Sequence, residues 1–571
     1  MKQLHLKQLL YVFFFCTSIS AYAQNFYLKI NGSTTDENQV IDSLNYSIKH
    51  SNLKSLFEEI KNTSVALSKK GYIDNKTIKT SKVNDSTYIS IIDLKTRIKN
   101  IHIYIGRNNT FFHNYKSQND TVIITYEDIG KFLNQNVIDG EGKGYALNKI
   151  KLENIQRRNS IIYADLNFKS EKKRTVNSII MNYTNNNEQD FFPKGHLNQL
   201  NKKYINKIFN QTLVKQLYED INSFEFTKQT KYPEILFTND STKVYTYIEK
   251  RKANTFDGYL GFSNDEDKKL NLNGYLDITL QNILHSGEQF SLYWKSDGNQ
   301  QKTFNTKLEI PYIFKTPLSI KAQLNIFKQD STFQNTKTAI DLGYYINYNT
   351  KIYIGYQATE SSDIQNKNNL TISDYNNSYI TTSLEYKKND TYNILFPRKA
   401  SLNLIAGYGN RSTNSSIETA GFSKQFYVNL NVLYNFKIDN RNNININSQN
   451  FYLTSTNYIQ NELFRFGGMN SIRGFLENSL QSNFNSLILT EYRYIVTENL
   501  YINSIVDYGL YQDLTSNTKN NTIKKLIGIG AGTGIQTKNG LIKITLTNGG
   551  QNIDELQLYN TIINICYNVK F

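Results

Sequence analysis

The chain from Ala253 to Phe571 alternates apolar and polar side chains with a period of two residues, and no segment there has the period of a helix. In 563–571 (INICYNVKF) every odd-numbered residue is apolar or aromatic. In 272–280 (LNGYLDITL) every even-numbered residue except a glycine is apolar. Because successive side chains of a strand point to opposite faces, each segment predicts a β-strand with one apolar and one polar face.

Soluble β-sandwiches and membrane β-barrels share this alternation, and three features favour the barrel. The segments run to about 9 to 15 residues, against ~5 to 6 in ordinary globular strands. Tyrosine (42 residues) and phenylalanine (32 residues) recur near strand ends, as in the aromatic girdles of membrane barrels. The alternation continues to Phe571, so we expect the last strand to close against the first. Residues 251–571 are therefore predicted to form an all-β transmembrane barrel of about 16 antiparallel strands.

The amino-terminal residues predict export from the cytoplasm. Lys2 and Lys7 precede an apolar run, and the sequence Ala-Tyr-Ala at 21–23 stands before Gln24, so residues 1–23 are predicted to be a signal peptide. Lipidation at Cys16 is the less favoured alternative, because three phenylalanines rather than small residues precede it. Cleavage leaves Cys566 as the only cysteine, which excludes an intrachain disulfide.

Charge and hydropathy limit the partners of the exported chain. No later stretch holds the ~18 consecutive apolar residues of a transmembrane helix, but a transmembrane strand needs only about 9 to 11 residues with alternate ones facing lipid. The net charge of +16 is spread along the chain, which is typical of a solvated surface, with contact to the phosphates of the lipid surface as the alternative. Nucleic acid is not expected as a partner of an exported chain.

Between the signal peptide and the barrel the sequence predicts three small α+β units, at 24–97, 98–173 and 174–250. Each has the order strand, helix or helices, then strands, with a period of about 75 residues, as tandem domains do. A helix followed by Gly-Tyr and two strands occurs at Gly71-Tyr72 and again at Gly144-Tyr145. The third unit lacks this signature, and one irregular α+β domain is the alternative. Helices are predicted over 53–70, 126–133, 195–207 and 213–221.

One loop motif connects the barrel to a known family. The segment 464–475 (FRFGGMNSIRGF) resembles the inward-folded loop of the BamA/TamA superfamily of outer-membrane assembly and translocation proteins, which carries an Arg-Gly-Phe/Tyr tip. The front units resemble the polypeptide-transport-associated (POTRA) domains that precede such barrels. The segments that resemble other barrel strands and turns of the family are 254–261, 281–287, 490–494, 506–509 and 528–532.

The resemblance implies a 16-stranded outer-membrane barrel with its amino-terminal domains in the periplasm. It implies that the protein inserts or secretes β-rich polypeptides, with unfolded polypeptide clients and outer-membrane lipid as partners and accessory lipoproteins as a further class of partner. Exposed sheet edges of the front units would bind clients by β-augmentation. Three units favour an assembly factor, whereas two-partner secretion transporters, the alternative, typically carry two. A passive channel is less favoured, because it would need neither the front units nor the loop motif.

In the family the loop arginine contacts acidic residues on the inner wall of the barrel, which assigns that role to Arg473. Counting strand faces places Asp507 and Glu491 on the lumenal side, and Asp507 is preferred because Glu491 could pair with Arg493 along its own strand. A guanidinium grips a carboxylate with two donors, which lysine cannot do.

The neighbours of Arg473 in the motif complete the predicted site. The glycines Gly467, Gly468 and Gly474 would give the loop backbone conformations that other residues resist, and Phe475 would wedge the tip.

The seam between the first and last barrel strands is the second candidate site. Gly258 and Gly261 are expected to weaken the first strand, and Phe571 ends the last. The resemblance implies that this seam opens sideways so that a client strand can pair there. Simple strand curvature is the alternative reason for these glycines.

An enzymatic site is not predicted. His285 is the only histidine after residue 250, so no Ser-His-Asp arrangement is available inside the barrel. The remaining histidines of the exported chain are scattered without ligand spacing, so we predict no metal and no cofactor. Those histidines are His50, His102, His113 and His196.

Overall fold

A computed structural model describes residues 25–106, 120–169, 171–184, 191–264, 270–296, 301–365, 371–390, 393–413, 422–515 and 522–571. The predicted signal peptide and His113 lie outside these residues. The chain forms two compact units. The first is built from residues up to Thr175 together with Ile208–Gln211, and the second from Val176–Lys207 together with Thr212–Phe571.

The first unit contains two four-stranded sheets with helices. The first sheet has the order β2-β1-β4-β3 and the second β6-β5-β8-β7. The strands are β1 (Phe26–Asn31), β2 (Lys49–His50), β3 (Lys76–Lys82), β4 (Thr87–Asp93), β5 (Asn100–Tyr104), β6 (Thr121–Thr125), β7 (Lys149–Arg158) and β8 (Ile161–Lys169). The helices are α1 (Thr35–Asp42), α2 (Leu53–Lys69) and α3 (Ile129–Gly142). Each sheet has its own apolar core, centred on Leu28 and Leu56 in the first and on Ile101 and Ile103 in the second.

The second unit begins with a smaller α+β domain whose sheet has the order β10-β11-β9. Its elements are β9 (Ser178–Tyr183), α4 (Lys194–Tyr204), α5 (Gln211–Ser223), β10 (Thr227–Phe237) and β11 (Thr242–Lys250). All three sheets share one topology. The first strand pairs in parallel with the last, and the last pairs antiparallel with the strand before it.

The two Gly-Tyr sequences end helices in the same way. Gly71 and Gly144 both have a φ of 96°, a left-handed conformation that glycine adopts without a steric penalty. The tyrosine after each glycine closes the helix end. The backbone amide of Tyr72 donates to the carbonyl of Leu67 at 3.1 Å, and the backbone amide of Tyr145 makes the equivalent hydrogen bond at 3.0 Å. Each glycine carbonyl then accepts a hydrogen bond of 2.8 Å from the segment that leads into the next sheet. The Gly-Tyr sequence therefore ends both helices with the same hydrogen-bonded cap.

Several helix bounds differ from those predicted. The helix predicted over 126–133 begins after a short 3-10 turn and runs from Ile129 to Gly142, because Asn136 and Gly140 are buried and the packing outweighs the low helix propensity of glycine. Helix α4 ends at Tyr204, short of the predicted 207, and α5 extends the predicted 213–221 by two residues at each end. Helix α1, with Thr34 accepting a hydrogen bond as its N-cap, was not predicted.

The rest of the second unit is a closed antiparallel barrel of 16 strands, which confirms the predicted all-β barrel and its strand number. Eight strands lead from the α+β domain: β12 (Thr255–Asn264), β13 (Leu270–Gln281), β14 (Gln289–Ser296), β15 (Gln301–Pro311), β16 (Leu318–Gln329), β17 (Phe333–Asn347), β18 (Thr350–Asp363) and β19 (Tyr375–Asn389). Eight more close it: β20 (Arg398–Thr413), β21 (Phe422–Lys437), β22 (Asn442–Thr454), β25 (Phe484–Thr497), β26 (Leu500–Gln512), β27 (Lys524–Gln536), β28 (Gly540–Gly550) and β29 (Ile562–Lys570).

The two faces of the barrel wall differ as the alternation predicts. On β26 the outward Ile502, Val506 and Tyr508 are exposed, whereas the inward Asp507 is fully buried. The lumen holds a buried ionic network that the sequence does not reveal. The carboxylate of Glu309 accepts from Lys351 Nζ at 3.0 Å and from the hydroxyls of two tyrosines.

The small α+β domain packs against one end of the barrel, here called the near end. His196 of α4 hydrogen-bonds Tyr312, in the turn after β15, at 2.5 Å through Nδ1. The amide of Asn282 donates to the carbonyl of Phe191 at 2.9 Å. Complete burial lowers the pKa of His196 to about 3, so the imidazole stays neutral at physiological pH. It therefore packs in this contact as an uncharged side chain. The opposite end is called the far end.

No helix among the described residues is both long and apolar enough to cross a membrane. Within the same residues, no group of three or more His, Cys, Asp or Glu side chains is arranged to hold a metal ion.

Candidate functional site: a loop anchored inside the barrel

The motif lies in the long connection 455–483 between β22 and β25, at the far end. Within it β23 (Phe464–Phe466) pairs antiparallel with β24 (Leu480–Ser482), and residues 467–479 form the turn of this hairpin, here called the loop tip. Gly467, Gly468 and Gly474 have φ values of 109°, 99° and 87°. Residues with a Cβ rarely adopt these conformations, so the tip depends on glycine at all three positions.

Arg473 reaches the inner wall and is held there by Asp507 of β26. Its Nε donates to Asp507 Oδ2 at 2.8 Å, and a terminal guanidinium nitrogen donates to Oδ1 at 2.5 Å. Its backbone N–H adds a third bond to Oδ2 at 3.1 Å. The carboxylate is thus gripped by two parallel side-chain bonds, a geometry that fixes the direction of the guanidinium as well as its distance.

Glu491 of β25 contacts the same arginine. The other terminal nitrogen of Arg473 donates to Glu491 Oε1, and Arg493 donates to Oε2 at 2.7 Å through Nε. The two pairings weighed from the sequence therefore exist together, because each arginine uses a different carboxylate oxygen. The carbonyl of Thr490 accepts the remaining bond of Arg473 at 3.3 Å.

Burial makes this cluster sensitive to the loss of any member. Arg473 is 6% exposed and Asp507 0%. Removing one partner of a buried ion pair commonly costs about 3–5 kcal/mol, because the other charge is left without compensation. Loss of one member of this cluster is therefore expected to cost more than loss of one partner of a surface ion pair.

Apolar contacts surround the charged cluster. Ile472, which precedes the arginine, is completely buried and packs with Leu487 and Leu489 of β25 and Leu526 of β27. Phe475 packs at the edge of the same cluster. Since Ile472 and Arg473 point to different partners, the tip is fixed by an apolar contact beside the charged one.

Glycines of the wall make room for the tip. A Cβ on Gly528 of β27 would lie 2.3 Å from the carbonyl oxygen of Arg473, and one on Gly549 of β28 would lie 2.7 Å from the ring of Phe475. Likewise, a Cβ on Gly509 of β26 would lie 3.0 Å from Ile472 Cδ1. The role of these three glycines was not deduced from the sequence. The signal that could have revealed it is their recurrence on inward positions of consecutive strands.

We expect Gly528→Val to displace the loop tip while the barrel still folds. The added side chain would overlap the backbone of Arg473, yet the strand pairing of β27 needs no glycine there. Limited proteolysis at the far end should cut the loop of the variant faster than that of the unaltered protein. Ala531→Leu adds the same three carbons on an outward position of the same strand and should leave the cutting rate unchanged. Equal rates in both variants would contradict the close fit.

The seam is the weakest contact in the wall. Strands β12 and β29 pair only at Thr255 with Lys570 and at Phe256 with Val569. The next shortest ladders between neighbouring barrel strands have eight pairs each. One further backbone bond, from the amide of Phe571 to the carbonyl of Asn254 at 3.0 Å, extends the contact.

The two seam glycines lie on β12 where it pairs with β13. Gly258 is opposite Leu276 and Gly261 is opposite Asn273. A Cβ on Gly258 would lie 2.5 Å from the carbonyl oxygen of Tyr275, so glycine is required there by the close approach of β13. Neither glycine pairs with β29.

The closed wall, its outward apolar face and the loop held inside it define a β-barrel with a loop anchored in its lumen. Residues 282–551 match the family model described as the Omp85 superfamily domain. No curated protein sequence matches the chain.

Three solved structures align with most of this chain at low sequence identity. BamA from Haemophilus ducreyi lacking POTRA domains 1–3 is 14% identical, with 82% of this chain and 98% of that chain covered and a TM-score of 0.46. CdiB from Acinetobacter baumannii is 14% identical, with coverages of 83% and 90% and a TM-score of 0.49. CdiB from Escherichia coli is 12% identical, with coverages of 91% and 97% and a TM-score of 0.48.

Proposed function

We propose that this protein inserts β-rich polypeptides into the outer membrane or translocates them across it. In this proposal the near end of the barrel faces the periplasm and the far end faces the outside. The α+β units at 24–97, 98–173 and 174–250 act as periplasmic POTRA domains, and 251–571 is the transmembrane barrel. The proposal rests on the Omp85 superfamily domain and on the geometry of the loop and the seam.

The two-pair seam is the single observation that carries the proposal. Most of β12 has no partner on the side of β29, so its backbone N–H and C=O groups can pair with a strand from another chain. Such pairing needs no particular client sequence, because main-chain hydrogen bonds supply most of the contact. A passive channel has no use for an edge of this kind.

The anchored loop supports the same function in a second way. An opened seam would leave the strands near β29 with fewer neighbours. The loop tip contacts β25 to β28 on their lumenal side and so links these strands. Arg473 contacts β25 and β26, and Phe475 lies against β28. The loop would therefore keep this side of the wall in register while β29 separates from β12.

The front units would deliver the clients. Among the described residues, each of the three sheets ends in strands that pair on one side only, and such an edge can accept an extended polypeptide by β-augmentation. Outer-membrane lipid would contact the outward apolar residues of the barrel, and accessory lipoproteins would bind the front units.

Depletion of the protein tests the proposal, with quantitative proteomics of the outer membrane and of the medium as the readout. We expect a broad loss of outer-membrane barrels if the protein is an assembly factor. Loss of one secreted protein alone would identify the two-partner type of secretion transporter. Unchanged amounts of outer-membrane and secreted proteins, with only a change in solute uptake, would contradict the proposal and indicate a channel.

A further inference from the structure

We propose that Arg411 and Glu462 form a second anchor, which holds the beginning of the loop against a different part of the inner wall. Residues 457–462, here called the base segment, lie between the end of β22 and the hairpin that carries the loop tip. Their contacts involve none of the residues that hold Arg473. The inference rests on the proposed membrane location of the barrel but not on the nature of its clients.

The centre of the second anchor is a buried ion pair of reversed polarity. Arg411 belongs to the wall, on β20, and Glu462 belongs to the loop, with side chains 1% and 2% exposed. A terminal nitrogen of Arg411 lies 2.5 Å from Glu462 Oε1 and also donates to the carbonyl of Asn457 at 3.3 Å. The second terminal nitrogen donates to the side-chain oxygen of Asn457. One wall arginine thus binds both ends of the base segment.

The carboxylate of Glu462 is satisfied from three sides. Besides the arginine, Gln425 of β21 donates to Oε2 at 2.9 Å, and the backbone N–H of Ile459 donates to Oε1 at 3.2 Å. A buried charge with this many donors is stable where it lies, but it becomes costly when its main partner is removed.

Asn461 extends the anchor around the wall. Its side chain donates to Ser361 Oγ at 2.7 Å and to the carbonyl of Ser373 at 2.8 Å. Its carbonyl accepts from Asn335 at 2.6 Å and from the hydroxyl of Tyr375 at 3.3 Å. The residue is 1% exposed and uses both its side chain and its backbone to bind the wall.

The two anchors lie far apart on the barrel. The base segment contacts inward residues of the consecutive strands β17 to β21, whereas residues 472–475 of the loop tip contact β25 to β28. In the closed order these strands, with β22 between them, make up ten of the sixteen. An arc of that size exceeds half of the circumference, so the loop that joins its two ends lies across the lumen rather than along one wall.

Arg411 is therefore a positioning residue that keeps the loop across the far end of the lumen. Release of Arg473 alone would leave the base segment in place. Passage through the far end would require the Arg411–Glu462 contact to break as well. Because the contact is an ion pair, exchanging its two charges should preserve it, whereas reversing either one should repel the loop from the wall.

Conductance of the purified full-length protein in planar lipid bilayers tests this role without any client. Arg411→Glu and Glu462→Arg should each raise the conductance several-fold, and the double variant should return it to the level of the unaltered protein. Asp330→Asn is the matched control, because Asp330 lies in an exposed turn of the far end between β16 and β17, outside the loop, and it should change nothing.

If a charge-reversed variant does not give a folded barrel, Glu462→Gln serves in its place, since it keeps the shape and removes only the charge. A raised conductance in this variant supports the anchor. Unchanged conductance in Glu462→Gln, or high conductance in the folded double variant, would overturn it. Neither result bears on whether the seam accepts polypeptides, so the proposed function is tested separately.

Discussion

Arg473→Ala is expected to yield a barrel that folds and inserts at normal abundance but whose activity is reduced at least about tenfold, since removing one partner of a buried ion pair commonly costs about 3–5 kcal/mol. The strands of the barrel pair without the loop, so the fold does not depend on the arginine. The loop tip does depend on it, because Asp507 would remain as a buried carboxylate with its main partner removed, and Glu491 would keep only Arg493. We expect the tip to leave the wall rather than bear that cost.

The measurement is the amount of outer-membrane and secreted protein in cells that carry only the variant, with heat-modifiable migration on gels as the check of folding. Arg473→Lys should be nearly as defective, because an ammonium cannot make the two parallel bonds to Asp507. Arg441→Ala, in an exposed turn of the near end, is the matched control and should behave like the unaltered protein. Full activity of Arg473→Ala at normal abundance would refute the anchoring role.

A disulfide across the seam should abolish activity reversibly. Phe256 and Val569 are direct partners on β12 and β29, and cysteines at such positions are close enough to bridge. The pair Phe256→Cys and Val569→Cys, in a Cys566→Ser background, should inactivate the protein when oxidised and restore it when reduced. The effect should be close to complete, because every client that pairs with β12 requires the separation of these strands.

The control for the seam uses a disulfide of the same kind inside the continuous wall. Ile278 and Leu292 are direct partners on β13 and β14, and Ile278→Cys with Leu292→Cys should leave activity unchanged in either redox state. An active protein with the seam locked would mean that clients do not enter there.

The barrel was predictable because a period of two is physically enforced. A strand that lies between lipid and lumen must alternate, so the sequence over 251–571 carries the fold class and an approximate strand number. The front helices were less accurate, because their ends depend on packing. Gly140 lies inside α3, where it is buried, although its propensity alone would end the helix. The eight-residue α1 is largely polar and leaves little periodic signal.

The family resemblance predicted Arg473 and its neighbours in the motif, and strand parity predicted the wall residues that could bind the arginine. Counting strand faces along β26 places Asp507 toward the lumen. In the structure the carboxylate of Asp507 accepts a hydrogen bond from Arg473. Strand parity does not give the distance between two side chains, so it could not decide which of two arginines binds Glu491. In the structure both arginines bind it. Arg411 and Glu462 are separated by 51 residues, and no motif connects them, so only the folded chain brings them together.

Site-specific photocrosslinking at the seam tests the central claim most directly. A photoreactive residue at Phe256, whose side chain faces outward beside β29, should capture polypeptide clients in growing cells. The same residue at Ile380, exposed on the outward face of β19, should capture few or none. Capture of polypeptides at Phe256 and not at Ile380 is the result that the proposal predicts. Equal capture at both positions, or none at Phe256 in a protein that remains active, would contradict it.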